Sequence, residues 1–179
     1  METDKAKPRR LAAKFFERFT QGRGIDIGHG GYPLLPSGID LWDKEQGDAT
    51  LMAGVPDAFY NYVYSSHCLE HLDEPRVGLR NWWRILKPGG YLILLVPHRD
   101  LYEKRTSLPS RFNGDHKTFW LPERGEPPNT IGLLPLLTET LRPFDFVYML
   151  RCDEGHTITD PNLHSDGEYS IECVIRKKP

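Results

Sequence analysis

The sequence is short of cysteine, of long apolar runs and of excess charge of either sign, and each shortage excludes something. Only three cysteines, Cys68, Cys152 and Cys173, stand among 179 residues, odd in number and without metal-type spacing. A secreted fold stapled by disulfides is disfavoured, and a reducing, cytoplasmic location is expected. The longest apolar stretch, Tyr91 to Pro97, falls far below the ~18 residues that span a bilayer. Residues 1–19 carry charges throughout and no apolar h-region, so neither a signal peptide nor a membrane partner is expected. Lysine and arginine number 23 against 25 aspartate and glutamate, a formal net charge of -2, which argues against a basic nucleic-acid footprint. The dinucleotide pattern G-x-G-x-x-G is missing as well, because its third glycine would fall at Pro33.

What is present is an alternation of strand-like and helix-like segments in one domain, residues 1–179, without repeats. Pro8 to Phe19 places Leu11, Phe15, Phe16 and Phe19 on one face of an amphipathic N-terminal helix within residues 1–21. Gly24-Ile25-Asp26-Ile27 reads as a buried strand closing on the turn Gly28-His29-Gly30-Gly31, and Gly38 to Leu41 as a second strand. Tyr60 to Ser65 is aromatic and β-branched, a third strand. Pro75 opens a helix through Leu86, which Lys87-Pro88-Gly89-Gly90 stops. Tyr91 to Val96 lacks polar alternation beyond its first residue, as expected of a strand covered on both faces. Residues 98–129 lose periodicity and gather Pro, Gly, Arg and His, the profile of a functional loop region. Thr130 to Leu141 reads as a helix, and Phe144 to Leu150 and Tyr169 to Arg176 as closing strands able to pair antiparallel. The pattern predicts an α/β fold with a mostly parallel sheet and an antiparallel terminal hairpin.

The turn at Gly28 to Gly31 lies where open α/β sheets bind ligands, beyond the carboxyl ends of their strands. Asp40 is read as the end of the second strand, where a carboxylate can accept from both hydroxyls of a ribose. Asp48 and Ala49 follow in a loop, where an acid and a backbone N–H can meet an adenine. The stretch Ser65-Ser66-His67-Cys68-Leu69-Glu70-His71-Leu72 and the later Arg84-Ile85-Leu86-Lys87-Pro88-Gly89-Gly90 complete a set.

Taken in order, these motifs resemble the class I S-adenosylmethionine-dependent methyltransferases of the small-molecule type, which carry S-x-H-x-L-E-H-L and K-P-G-G. The resemblance is carried by roughly residues 22–97. It implies a Rossmann-like sheet, S-adenosyl-L-methionine as cofactor, and methyl transfer to a hydroxyl or amine of a small molecule or sugar. It implies that Asp26, Gly28 and Gly30 form the turn under the methionine part, that Asp40 holds the ribose, and that Asp48 and Ala49 read the adenine. Ser65 and Ser66 would border the sulfonium. Gly30 to Asp40 is too short for the family's first crossover helix, so the early helices are expected to be reduced to a minimal form.

His67, near the strand tip, and His116, in the irregular segment, are the candidate catalytic bases, while His71 reads as a packing residue. His67, Glu70 and His71 also raise a metal reading, suited to zinc or iron, but no second carboxylate is evident beside them and no metal is expected. Arg99, Lys104, Arg105, Arg111 and Lys117 form the one basic cluster, and no N/D-P-P-Y motif is present, so a nucleic-acid acceptor is disfavoured. A non-catalytic, cofactor-binding subunit is the alternative reading. The short cofactor flank leaves apolar sheet edge that a second copy of the chain would cover.

Overall fold

The computed structural model describes residues 2–35 and 38–179. Eight strands run in chain order: β1 (Gly24–Ile27), β2 (Ile39–Trp42), β3 (Tyr60–Ser66), β4 (Leu86–Pro97), β5 (Phe119–Leu121), β6 (Thr130–Gly132), β7 (Phe144–Cys152) and β8 (Ser170–Lys177). Six of them build one sheet in the order β2-β1-β3-β4-β8-β7, and β5 pairs with β6 apart from it. The first four strands of that order are parallel, and β8 runs antiparallel between β4 and β7. The mostly parallel sheet and antiparallel terminal hairpin predicted from the sequence are both present.

Period-two alternation divides each central strand between two buried faces. Ile25, Val63, Leu92, Leu94 and Val96 face one side, where α4 (Pro75–Ile85) brings Leu79, Trp82 and Ile85 and α5 (Leu133–Leu141) brings four leucines. Tyr62, Tyr64, Ile93 and Val174 face the other side. There the described residues of the connection between β1 and β2, 28–35 and 38, form no crossover helix. The N-terminal helices α1 (Glu2–Lys5), α2 (Lys7–Ala12) and α3 (Phe15–Phe19) lie near that face, Phe15 and Phe19 packing against it.

Three expectations need correction here. The single helix over Pro8 to Phe19 is broken at Lys14, whose φ of 50° is left-handed. The one expected apolar face is not kept across the break: in α2 Leu11 is exposed and Arg10 fully buried, while in α3 Phe15 and Phe19 are buried. The helix expected from Thr130 begins only at Leu133, because Thr130 to Gly132 pair with β5 instead. The Lys87-Pro88-Gly89-Gly90 turn lies within the first part of β4, where the pairing with β3 shifts register, and α4 has already ended at Ile85.

Arg10 is buried on a charge network. Its Nε donates to Glu172 Oε2 at 2.7 Å and its Nη1 to the Tyr64 hydroxyl at 3.0 Å. Arg9 Nη1 donates to Glu172 Oε1 at 2.9 Å, and the Tyr148 hydroxyl donates to the same oxygen at 2.8 Å. The network ties α2 to β8 across the face that lacks a crossover helix. The loop region 98–129 is packed down by a third apolar cluster, Leu101, Tyr102 and Tyr169 with Phe112 against them. All three cysteines are free and buried. Among the described residues no helix is long and apolar enough to cross a membrane.

Candidate active site

Two adjoining cavities open beyond the carboxyl ends of β1, β2 and β3, sharing Gly28, Gly30, His67 and His71 in their walls. The larger measures about 490 Å³ and runs from the glycine turn past Asp43 to Asp48 and Ala49. The smaller, about 290 Å³, is enclosed on its far side by Tyr102, His116 and Tyr169.

The glycine turn forms the floor because only glycine fits it. Gly28 has φ of 75°, and a Cβ there would lie 2.5 Å from both Cβ and Sγ of Cys68. Gly30, with φ of 54°, has open space where a Cβ would stand. Gly28→Ala therefore meets both backbone strain and a clash, and is expected to destabilise the protein by about 1–3 kcal/mol. Gly30→Ala meets only the strain. Thermal melting of the two variants checks this: Gly28→Ala should fall clearly below Gly30→Ala, and equal melting temperatures would contradict the close approach to Cys68.

Asp26 supports the turn from beneath and does not line either cavity. Its Oδ2 accepts from the Leu34 N–H at 2.6 Å, which anchors the loop that replaces the crossover helix. Burial pushes its carboxyl up to about 7. Asp40 is the second residue of β2 and not its end, since the strand continues to Trp42. Its carboxylate accepts from the Arg23 guanidinium and the Tyr60 hydroxyl, each at 2.9 Å, away from both cavities. The acid beyond the end of β2 is Asp43, which the sequence reading passed over. Its Oδ2 accepts from the Gly30 N–H at 2.9 Å and its Oδ1 from the Lys44 N–H at 2.8 Å. Partial burial opposes the charge on Asp43, but those two backbone donors outweigh it and hold the carboxyl below its usual range.

Asp48 and Ala49 do line the larger cavity. Asp48 accepts from the Thr50 N–H at 2.7 Å, and the Ala49 carbonyl accepts from the buried Trp82 indole at 2.8 Å, so α4 fixes this loop from below. Ser65 is turned inward, donating to the Ile27 carbonyl at 3.0 Å, and strand alternation leaves Ser66 at the cavity.

Both histidines expected as bases reach the smaller cavity. His67 has left-handed backbone, with φ of 50°, at the tip of β3. Its Nε2 lies 2.8 Å from the Ser170 hydroxyl, and burial pushes its pKa down to about 3, so the ring is neutral at neutral pH. His116 Nδ1 lies 2.5 Å from Glu103 Oε1. His71, read from sequence as a packing residue, lines both cavities. Two acids are buried beside them: Glu70, weighed in the sequence only within a metal reading, and Glu103, which the sequence reading assigned no role. Glu103 sits in an unpatterned loop 33 residues from Glu70, in a segment that packs Tyr102 on Tyr169.

Residues 12–94 match the family of the methyltransferase domain. Among solved structures, a Bacillus halodurans protein described as a methyltransferase superposes with a TM-score of 0.62 at 14% identity, covering 99% of this chain and 100% of its own. The fold is the Rossmann-like methyltransferase fold. A Burkholderia thailandensis 1,6-didemethyltoxoflavin-N1-methyltransferase, solved with 1,6-didemethyltoxoflavin and S-adenosylhomocysteine bound, gives 0.57 at 13% identity over 99% of this chain and 80% of its own. SpnF, a cyclase, gives 0.54 at 16% over 94% and 81%. No curated protein matches in sequence. At such identities the likeness is one of fold, and the methyltransferase fold here is a reduced one, with no first crossover helix among the described residues between β1 and β2.

Proposed function

We propose that the chain transfers a methyl group from S-adenosylmethionine to a hydroxyl or amine of a small molecule or sugar. The observation that carries this reading is the larger cavity, floored by positive-φ glycines and edged by Asp43, in a chain whose residues 12–94 match the methyltransferase domain. Its residues suit the donor. The volume falls within the roughly 300–1,000 Å³ of ligand pockets. Gly28 and Gly30 leave room for a chain to pass over backbone, Asp43 presents a carboxylate suited to ribose hydroxyls, and Asp48 and Ala49 stand where an adenine would be read. Asp43 thus takes the part first expected of Asp40, and Asp26 acts by holding the loop.

When bound, the donor supplies an activated methyl group, and the task left to the protein is alignment of the acceptor. The smaller cavity, walled by Tyr102 and Tyr169, suits an acceptor of modest size. His67 and His116 are each braced through one ring nitrogen, by Ser170 and Glu103 respectively, and proton removal from the acceptor is assigned to this pair. Calorimetry with S-adenosylhomocysteine tests the reading. Saturable binding is expected with no competition from NAD, whereas tight NAD binding without response to the adenosyl ligand would refute it.

A further inference from the structure

Three side chains given no part in holding the donor converge on the smaller cavity, one of them, His71, on the wall shared by both. Glu70 is the middle residue of the 3-10 turn Leu69–His71 and is fully buried, yet neither carboxylate oxygen has a hydrogen-bond partner. A buried carboxylate left in this way is costly unless something else compensates it. His116 Nε2 lies 3.9 Å from Glu70 Oε1, and the ring of His71 meets that of His116 edge-on with centroids 4.8 Å apart. One ligand atom from each of Glu70, His71 and His116 falls within 4.8 Å of the other two. All three residues line the smaller cavity.

We infer that Glu70, His71 and His116 bind a divalent first-row transition cation. A simple ion pair between His116 and Glu70 does not account for the cluster. His116 already turns its Nδ1 to Glu103, and Glu103 Oε2, like both oxygens of Glu70, has no partner. Among the described residues no lysine or arginine ion pair reaches either acid, and the ionisable partners near them are imidazoles alone, with His67 Nδ1 3.6 Å and His116 Nε2 3.9 Å from Glu70 Oε1. A divalent ion supplies the missing positive charge.

The surroundings are also those of a metal site. Metal-bound histidines usually give their second ring nitrogen to a carboxylate or a backbone carbonyl, which sets the tautomer and aims the first nitrogen at the ion. Glu103 does this for His116. The Lys117 N–H donates to the Glu70 carbonyl at 2.7 Å, which binds the 3-10 turn to the segment carrying His116. Ligands around a tetrahedral zinc stand roughly 3.3 Å apart, so side-chain closure of about 1–1.5 Å completes the site. Two imidazoles and one carboxylate favour zinc, iron or cobalt over magnesium or calcium, which take oxygen ligands.

Three protein ligands leave a coordination position open toward the cavity. On the methyl-transfer reading, on which this role rests, an oxygen or nitrogen of the acceptor occupies that position, beside the wall shared with the donor cavity. The ion then acidifies the acceptor's proton, and with His116 engaged as a ligand, proton removal falls to His67.

Chelator-treated protein titrated with Zn²⁺ in a calorimeter, and with Co²⁺ followed by visible absorption, tests the site without any activity measurement. The expected result is one equivalent bound at micromolar affinity or better, a cobalt spectrum of low-coordinate type, and no saturable heat with Mg²⁺. Glu70→Gln and His116→Ala should each weaken zinc at least 100-fold, and Glu103→Gln by about 10–100-fold. His71→Ala, at a half-buried position, supplies a ligand-deleted variant less exposed to misfolding, and it too should lose at least tenfold. Absence of saturable zinc and cobalt binding by the unsubstituted protein, or unchanged affinity in folded His71→Ala, would overturn the inference. Binding of S-adenosylhomocysteine is measured alongside. Protein that binds zinc but not this ligand keeps the ion site and loses the donor reading, and the converse loses the ion site alone.

Discussion

Glu172→Ala is expected to lower stability by about 3–5 kcal/mol, the range for breaking a buried ion pair from one side. Glu172 is fully buried in β8 and accepts from Arg9, Arg10 and Tyr148. Deleting it strands the Arg10 guanidinium, itself fully buried and already with Nη2 unpartnered. Urea unfolding followed by circular dichroism checks the figure, and a change under about 1 kcal/mol would show that α2 undocks at little cost. Tyr148→Phe removes only one donor and should cost about 1 kcal/mol. The acid limb carries a second signature. Burial works against the Glu172 charge, but Arg10, Arg9 and Tyr148 outweigh it and hold the carboxyl below its ordinary range. A group depressed in the folded state contributes stability above its unfolded pKa of about 4.3 and loses it as pH falls through the folded value. Glu172→Gln should therefore flatten the fall in stability on acidification below about pH 4.

Asp43→Ala is expected to weaken S-adenosylhomocysteine by about 10–150-fold, while Asp40→Ala leaves it within about threefold. The first figure corresponds to 1.5–3 kcal/mol, the range for hydrogen bonds to a charged group. Asp43 faces the donor cavity with its charge supported by the Gly30 and Lys44 amides, whereas Asp40 is occupied by Arg23 and Tyr60. Calorimetry on both variants decides between the two acids. Loss of binding in Asp40→Ala with retention in Asp43→Ala would reverse the assignment.

Those two aspartates show where the sequence was legible and where it was not. Ile39-Asp40-Leu41-Trp42-Asp43 announces a strand near an acid, but composition does not say whether the strand stops after two residues or four. Pairing of Trp42 with Ile27 decides it, and that is a property of the partner strand. β4, the helix opened by Pro75 and the terminal hairpin were readable because each is specified locally, by an apolar run, a cap or an alternation. The break at Lys14 was not, since its left-handed backbone serves the docking of α3 under the sheet. Thr130 to Gly132 looked helical in isolation because β5, which claims them, is only three residues long. At the site, His67 and Glu70 stand three residues apart in one motif, but Glu103 and His116 come to them from an unpatterned loop through tertiary contacts.

The contact of α2 with β8 also governs when the molecule can finish folding. Arg9 and Arg10 meet Glu172 across 163 and 162 residues of chain. During synthesis the helices α1 to α3 therefore emerge well before the acid that α2 docks on. Until then Arg9 and Arg10 have no acid to fix α2 beside the face bearing Tyr62, Tyr64 and Ile93, and closing so long a loop carries an entropic cost. Until β8 is made, the nascent chain must therefore carry α2 with its arginines unneutralised and only part of this aromatic face shielded, a natural substrate for a holding chaperone.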